Sequence, residues 1–254
     1  MTQNQWNAFC NFKEQMKSLC DEWGLLKDKL YPLQKAASKK DTPEYPLQTA
    51  VVYNQAYDSI TINDDIRLIV IGDNPGKDEQ LEKNRRYLVG QSGKIADGFF
   101  HRKPELNIDF RKNTIIVNKT PVHTAKTAHL KYLSKNGDEQ IQKLLLESQI
   151  QMAQLTATLH QQLLSGADCP QNTPQLWLVG YAELKGKGIF LPYRDALKNS
   201  YSTEAWDNVF VYQHFSMNRF LIDLRSYCAQ NPQLTLSQAL YALGHLHRDE
   251  IFIV

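Results

Sequence analysis

Ile66-Arg67-Leu68-Ile69-Val70-Ile71-Gly72-Asp73-Asn74-Pro75-Gly76 decides how this chain is organised. The short β-branched apolar run has the pattern of a strand buried on both faces. The Gly-x-Asn-Pro-Gly turn that stops it pushes polar groups off the strand's carboxyl end. In open α/β sheets ligands bind at that end. Tyr87-Leu88-Val89-Gly90-Gln91-Ser92-Gly93-Lys94 is a second glycine-bearing loop, leading into a helical stretch. Two such loops at one edge predict a pocket.

Working outward, Asn113–Asn118 is a second apolar run, stopped by Pro121, and Pro174–Gly180 repeats the strand-then-glycine pattern. Asn208–Gln213 is a fourth run, delivering His214-Phe215-Ser216-Met217-Asn218-Arg219 at its end. Helical stretches separate these runs. The expectation is an α/β three-layer sandwich with a central, mostly parallel four-stranded sheet. Doubly wound topology would then bring Asn74, Asn118 and His214 to one side of the sheet, although they are far apart in the chain.

Between the strands, apolar positions from Trp6 to Leu26 predict one amphipathic helix over about Asn4–Lys29. Lys35–Glu44 is polar, ends at proline and predicts a loop. Ser92 is a candidate cap for a helix through Phe100, and Asp138 for one reaching about Ser165. Thr120–Asn136 predicts a long basic connection. Thr235 or Ser237 would cap a last helix before Ile251–Val254, a terminal strand or a packed end.

With 254 residues the chain suits a single domain over 1–254, with the N-terminal helix packed on it. No apolar run is long enough for a bilayer and Met1–Trp6 is no signal peptide, which predicts a cytoplasmic protein, or a nuclear one in a eukaryote. Cys10, Cys20, Cys169 and Cys228 are widely spaced without zinc or iron–sulfur patterns, so no metal or other cofactor is expected. The net charge is +2, yet Lys77–Lys135 holds 13 Lys/Arg against 6 Asp/Glu. That bias arises on solvated helix faces, and it also suits a basic rim for a phosphate-bearing ligand.

The motifs carry a family resemblance. Gly72-Asp73-Asn74-Pro75-Gly76 resembles the first motif of the uracil-DNA glycosylase superfamily, and Arg86–Gly93 resembles the Arg-Pro-Phe-Val-Gly-x-x-Gly segment of its thermostable branch. Asn118 before Pro121 resembles the Asn-x-x-Pro motif and His214-x-Ser216 the His-Pro-Ser motif. The order and spacing fit from about Ile66 to Arg219. The resemblance implies a monofunctional glycosylase of base-excision repair that hydrolyses the N-glycosidic bond of uracil or a related damaged base, acting as a monomer on DNA, away from membranes.

By that resemblance Asn74 positions the attacking water, His214 stabilises the developing base anion, and Asn118 reads the uracil edge. Gly72, Pro75, Gly76, Tyr87 and Leu88 would complete the base pocket. Ser92 and Ser216 would pinch phosphates, while Met217, Asn218 and Arg219 are candidates for a wedge, Arg219 foremost. The chain departs from the family in two places: Leu88 stands where a stacking phenylalanine is usual, with Tyr87, Phe99 and Phe100 as substitutes, and Phe215 replaces the proline of His-Pro-Ser. Taken singly, His214 also suits a core histidine and each asparagine a turn or cap. An inactive glycosylase-fold protein that binds DNA or a protein partner, and a glycosylase for another lesion, are the alternatives. A P-loop is excluded, since Gly72–Lys77 is one residue short and Asp78 stands where Ser or Thr would hold magnesium.

Overall fold

The computed structural model describes residues 1–165 and 173–252. Cys169, Ile253 and Val254 lie outside the described residues. In chain order the elements are α1 (Gln3–Gly24), α2 (Lys27–Ser38), β1 (Leu68–Gly72), α3 (Gln91–His101), β2 (Thr114–Asn118), α4 (His129–Asn136) and α5 (Glu139–Ser165). These are followed by β3 (Gln175–Val179), α6 (Leu191–Asn199), α7 (Thr203–Trp206), β4 (Val209–Tyr212), α8 (Arg219–Gln230) and α9 (Leu236–Phe252).

The strands form one four-stranded sheet in the order β2-β1-β3-β4, and every pair in it is parallel. Helices cover both faces, so each strand is buried front and back, which explains the unbroken apolar runs. Side chains alternate between two cores. Ile69, Ile71, Ile115, Val117, Leu176, Leu178, Val209 and Val211 pack with α1, α5 and α6, whereas Leu68, Val70, Ile116, Trp177, Phe210 and Tyr212 pack with α3, α8 and α9. Among the described residues no helix is long and apolar enough to cross a membrane.

The predicted single N-terminal helix is two. α1 stops at Gly24, and the chain turns through Leu25 and Leu26 before α2 begins. Much of the expected loop at Lys35–Glu44 is the end of α2. Its buried residues are Leu30, Gln34 and Ser38, one per turn, a stripe too narrow to register as amphipathic in so polar a segment. Gln34 Nε2 donates to the carbonyls of Ala50 (3.0 Å) and His123 (2.8 Å), so a buried amide anchors the helix. Likewise the expected basic connection contains α4, seated by Leu130 and Leu133. Gly90, not Ser92, is the N-cap of α3. Asp138 does cap α5, accepting from the Ile141 N–H at 3.1 Å, and Thr235 Oγ1 accepts from the Gln238 N–H at the start of α9. Ile251 and Phe252 finish α9 and form no strand.

Candidate active site

The parallel register fixes where the site forms. Gly72 stands opposite Asn118, Ile71 opposite Leu178, and Val179 opposite Tyr212, so all four strands end on nearly one rung. The chain leaves β1 for β2 on one side and later returns to β3 on the other, making the β1/β3 boundary the switch point at which a crevice opens. A cavity of about 490 Å³ lies there, within the range of small-ligand sites. Asn74, Asn118 and His214 all line it.

Asn118 is the most constrained of the three. It is buried, its Nδ2 has no hydrogen-bond partner among the described residues, and a buried amide donor left this way calls for a ligand atom or a water. Gly72 makes room for it, since a Cβ there would stand 2.5 Å from Asn118 Oδ1. Gly72 therefore shapes the pocket from beneath and is not on its wall.

Asn74 Nδ2 donates to Thr124 Oγ1 (2.9 Å) and to the carbonyls of Val122 and Pro75 (3.3 Å each). Three acceptors around one end assign the amide nitrogen and leave Oδ1 as an uncommitted acceptor. At His214 the Ser216 backbone N–H donates to Nδ1 at 3.1 Å, and Ser216 Oγ lies 2.8 Å from the same nitrogen. A backbone N–H can only donate, so Nδ1 is the acceptor and the neutral ring carries its proton on Nε2. Burial holds the His214 pKa below the usual histidine range, against the opposing pull of Asp73.

Phe215, which stands where the His-Pro-Ser motif would have proline, is fully buried against Phe110 and Phe220. Burial of an aromatic ring thus anchors this loop in place of a rigid ring in the backbone. Beyond it Met217 (φ 54°) and Asn218 (φ 57°) are both left-handed, a conformation uncommon outside glycine. The turn leaves the Met217 side chain 69% exposed at the pocket mouth. Arg219 lines the pocket as the first residue of α8, whereas Asn218, its N-cap, is off the wall.

Gly76, Leu88, Ser92 and Ser216 also line the cavity. Ser92 sits in the first turn of α3, where unpaired N–H groups favour an anion. Leu88 adopts φ 51°, and its carbonyl takes a hydrogen bond from Arg111 Nη2 at 2.7 Å. Gly93 permits that close approach, because a Cβ there would overlap the Leu88 carbonyl oxygen. Pro75 is off the wall, with its carbonyl accepting from the Thr124 N–H (3.2 Å) and from His123 Nδ1 (2.8 Å).

Tyr87 is also off the wall and belongs to the core. Its ring is fully buried and its hydroxyl donates to the Val52 carbonyl at 2.5 Å. Phe99 and Phe100 are core residues as well, packed on each other and on Phe220 and Trp177. The aromatic ring on the wall besides His214 is Tyr181, already engaged by Lys185 Nζ 3.8 Å from its centroid and by the His247 ring at 4.8 Å.

Several contributors escaped the sequence reading. Lys119, given no role from the sequence, is completely buried, with Nζ 2.6 Å from Asp73 Oδ1 and 2.5 Å from the Val179 carbonyl. It clips β2 to the turn after β1 and to the end of β3. Burial lowers its pKa, and the Asp73 carboxylate opposes that shift. Glu79 is buried on the pocket wall and accepts from the Gly76 N–H at 2.9 Å. Burial pushes its carboxyl up to about 7, although the backbone N–H groups of Gly76, Leu88 and Val89 favour the charged form. The cavity wall itself carries Lys126 and Arg219 together with Asp73, Glu79 and Glu183.

Fold and site together define an α/β protein with a polar pocket at the switch point of a parallel sheet. No family model matches the chain, and no match is found among curated proteins.

Proposed function

We propose that the protein is a uracil-DNA glycosylase-like hydrolase, releasing uracil or a related damaged base from DNA. The observation that carries this is the buried, unpaired Asn118 amide in the same cavity as a free Asn74 acceptor and a neutral imidazole. Cleaving the N-glycosidic bond puts positive charge on the sugar and negative charge on the departing base, so it needs a fixed donor at the base oxygen and a held water.

His214 supplies the donor through Nε2–H, oriented by the Ser216 N–H on its other nitrogen. Asn74 Oδ1 orients the water. Asn118 Nδ2 donates to O4 of uracil while Oδ1 accepts from N3–H. Cytosine reverses that pattern and would leave buried groups unpaired. Leu88 and the pocket's aliphatic surface take the place of a stacking ring, a weaker hold that suits a base already loosely stacked, as in a mismatch or a single strand. Ser92, Ser216 and the first turn of α3 would hold flanking phosphates, with Met217 filling the vacated stack. Pairing is by residue chemistry throughout, and no step calls on a metal.

The test is a base-release assay on uracil-containing single- and double-stranded DNA. Release should fall by roughly 10²–10³ in His214→Ala, the scale of removing one preorganised donor. A binding assay on the same oligonucleotides separates the second reading, a DNA-binding protein without base release, which the lack of a free stacking ring favours. Unaltered release in both His214→Ala and Asn74→Ala would refute the roles of these two side chains.

A further inference from the structure

A second, smaller cavity of about 90 Å³ lies at the free edge of β2, away from the carboxyl-edge pocket, with Arg86, Arg111, Lys112 and Thr114 among its lining residues. Its volume is on the order of three liquid waters. Arg86 Nε, Arg111 Nη1 and Thr114 Oγ1 are buried there with no hydrogen-bond partner among the described residues. Among the described residues neither arginine has a carboxylate within ion-pair distance. Arg111 makes one side-chain hydrogen bond, to the Leu88 carbonyl, and a cation–π contact with Phe110 at 5.1 Å.

Two half-buried guanidiniums lining one cavity, with no ion-pair partner among the described residues, cost desolvation and like-charge repulsion, which a structure tolerates when an anion completes the group. Burial and the Arg86 charge both hold the Arg111 pKa below the usual arginine range, while Asp97 and Glu79 act in the opposite sense. The carboxylate on the cavity wall, Asp64, accepts through Oδ2 from the N–H (2.7 Å) and the hydroxyl (3.1 Å) of Thr61 and makes no ion pair with either arginine among the described residues. Neighbouring Asn54 is likewise tied to the Ile116 carbonyl and the Ala56 N–H.

We propose that this cavity is a binding site for one tetrahedral oxyanion of the phosphate class, held by Arg86, Arg111 and Thr114 with Lys112 at its side. Donors from two segments, Arg86 before α3 and Arg111, Lys112 and Thr114 at the start of β2, suit an anion with more than two oxygens, and the volume suits one phosphoryl group. The site accounts for part of the Lys77–Lys135 charge that the main pocket does not use. Arg111 also holds the Leu88 carbonyl, so an occupied site would brace the loop forming one wall of the main pocket. The proposal does not depend on glycosylase activity.

Inorganic phosphate is the first probe, titrated into the full-length chain against sodium chloride of matched ionic strength, read by thermal melting and calorimetry. Saturable stabilisation is expected, with Kd weakened at least tenfold in Arg86→Gln and in Thr114→Val, and unchanged in His214→Ala. The isosteric Thr114→Val gives the answer if Arg86→Gln fails to fold. A dinucleotide whose single phosphate is a diester is the second probe: competition with phosphate identifies a nucleic-acid backbone as the occupant, and its absence identifies a free phosphate or monoester. No saturable effect of phosphate, or the same effect in both cavity variants, would overturn the proposal and leave waters as the partners of these groups.

Discussion

Asn118 shows how one side chain turns a sheet edge into a recognition site. Its amide offers a donor and an acceptor from a buried position above Gly72, so a ligand must present the complementary pair or leave a polar group stranded. Replacing it by aspartate removes the donor and presents two acceptors. Discrimination between uracil and cytosine in the release assay should therefore collapse in Asn118→Asp, and a variant that still rejects cytosine would show that this amide does not read the base. Gly72→Ala is expected to reduce release with little change in overall helicity by circular dichroism, because its methyl group would enter the space of Asn118 Oδ1.

At the level of elements, the buried Lys119–Asp73 pair fastens three strand ends together. Removing one member of a buried pair strands the other charge, at a cost of about 3–5 kcal/mol. Lys119→Met should lower the stability measured by urea unfolding by that amount, whereas breaking the exposed pair Lys17–Asp21 on α1 should cost far less. A loss in Lys119→Met no greater than in Lys17→Met would contradict the clip. The left-handed turn between β4 and α8 makes a separate prediction. Met217→Ala should slow release from duplex DNA more than from single strands, since only the duplex has a stack to fill, and equal slowing on both would exclude Met217 as the wedge.

For the whole molecule, buried titratable groups set the response to pH. Burial lowers His123 and His160 from the usual 6.5 to about 4, so between those values the unfolded chain takes up protons that the folded one refuses, and stability falls as pH drops through that window. Glu79 acts in the opposite direction. Its carboxyl, raised from 4.5 to about 7, holds an extra proton in the folded state and adds stability as pH falls from 7 to 4.5. Glu79→Gln should accordingly steepen the loss of stability across pH 7 to 4.5 by up to about 1.4 kcal/mol per pH unit, the effect of one proton. Urea unfolding at a series of pH values measures this, and parallel curves for the two proteins would show that Glu79 is not raised. His123 links this behaviour to the site, because the same ring holds the Pro75 carbonyl.

The sequence by itself determined the four strands, their parallel arrangement between helical layers, and the edge at which Asn74, Asn118 and His214 stand. Unbroken β-branched runs ended by glycine or proline are local signals, and chain topology converts them into one shared rung. The tertiary structure decided which faces of the loops look inward. Tyr87 and Leu88 are adjacent, yet one lies in the core and the other on the pocket wall, because a left-handed turn at Leu88 that no composition reveals divides them. It also decided the electrostatics: nothing local in the sequence marks Lys119 and Glu79 as buried, and only the packing of distant segments removes water from them. The narrow buried stripe of α2 was hidden for a related reason, since Gln34 is anchored by carbonyls of Ala50 and His123, one of them far along the chain.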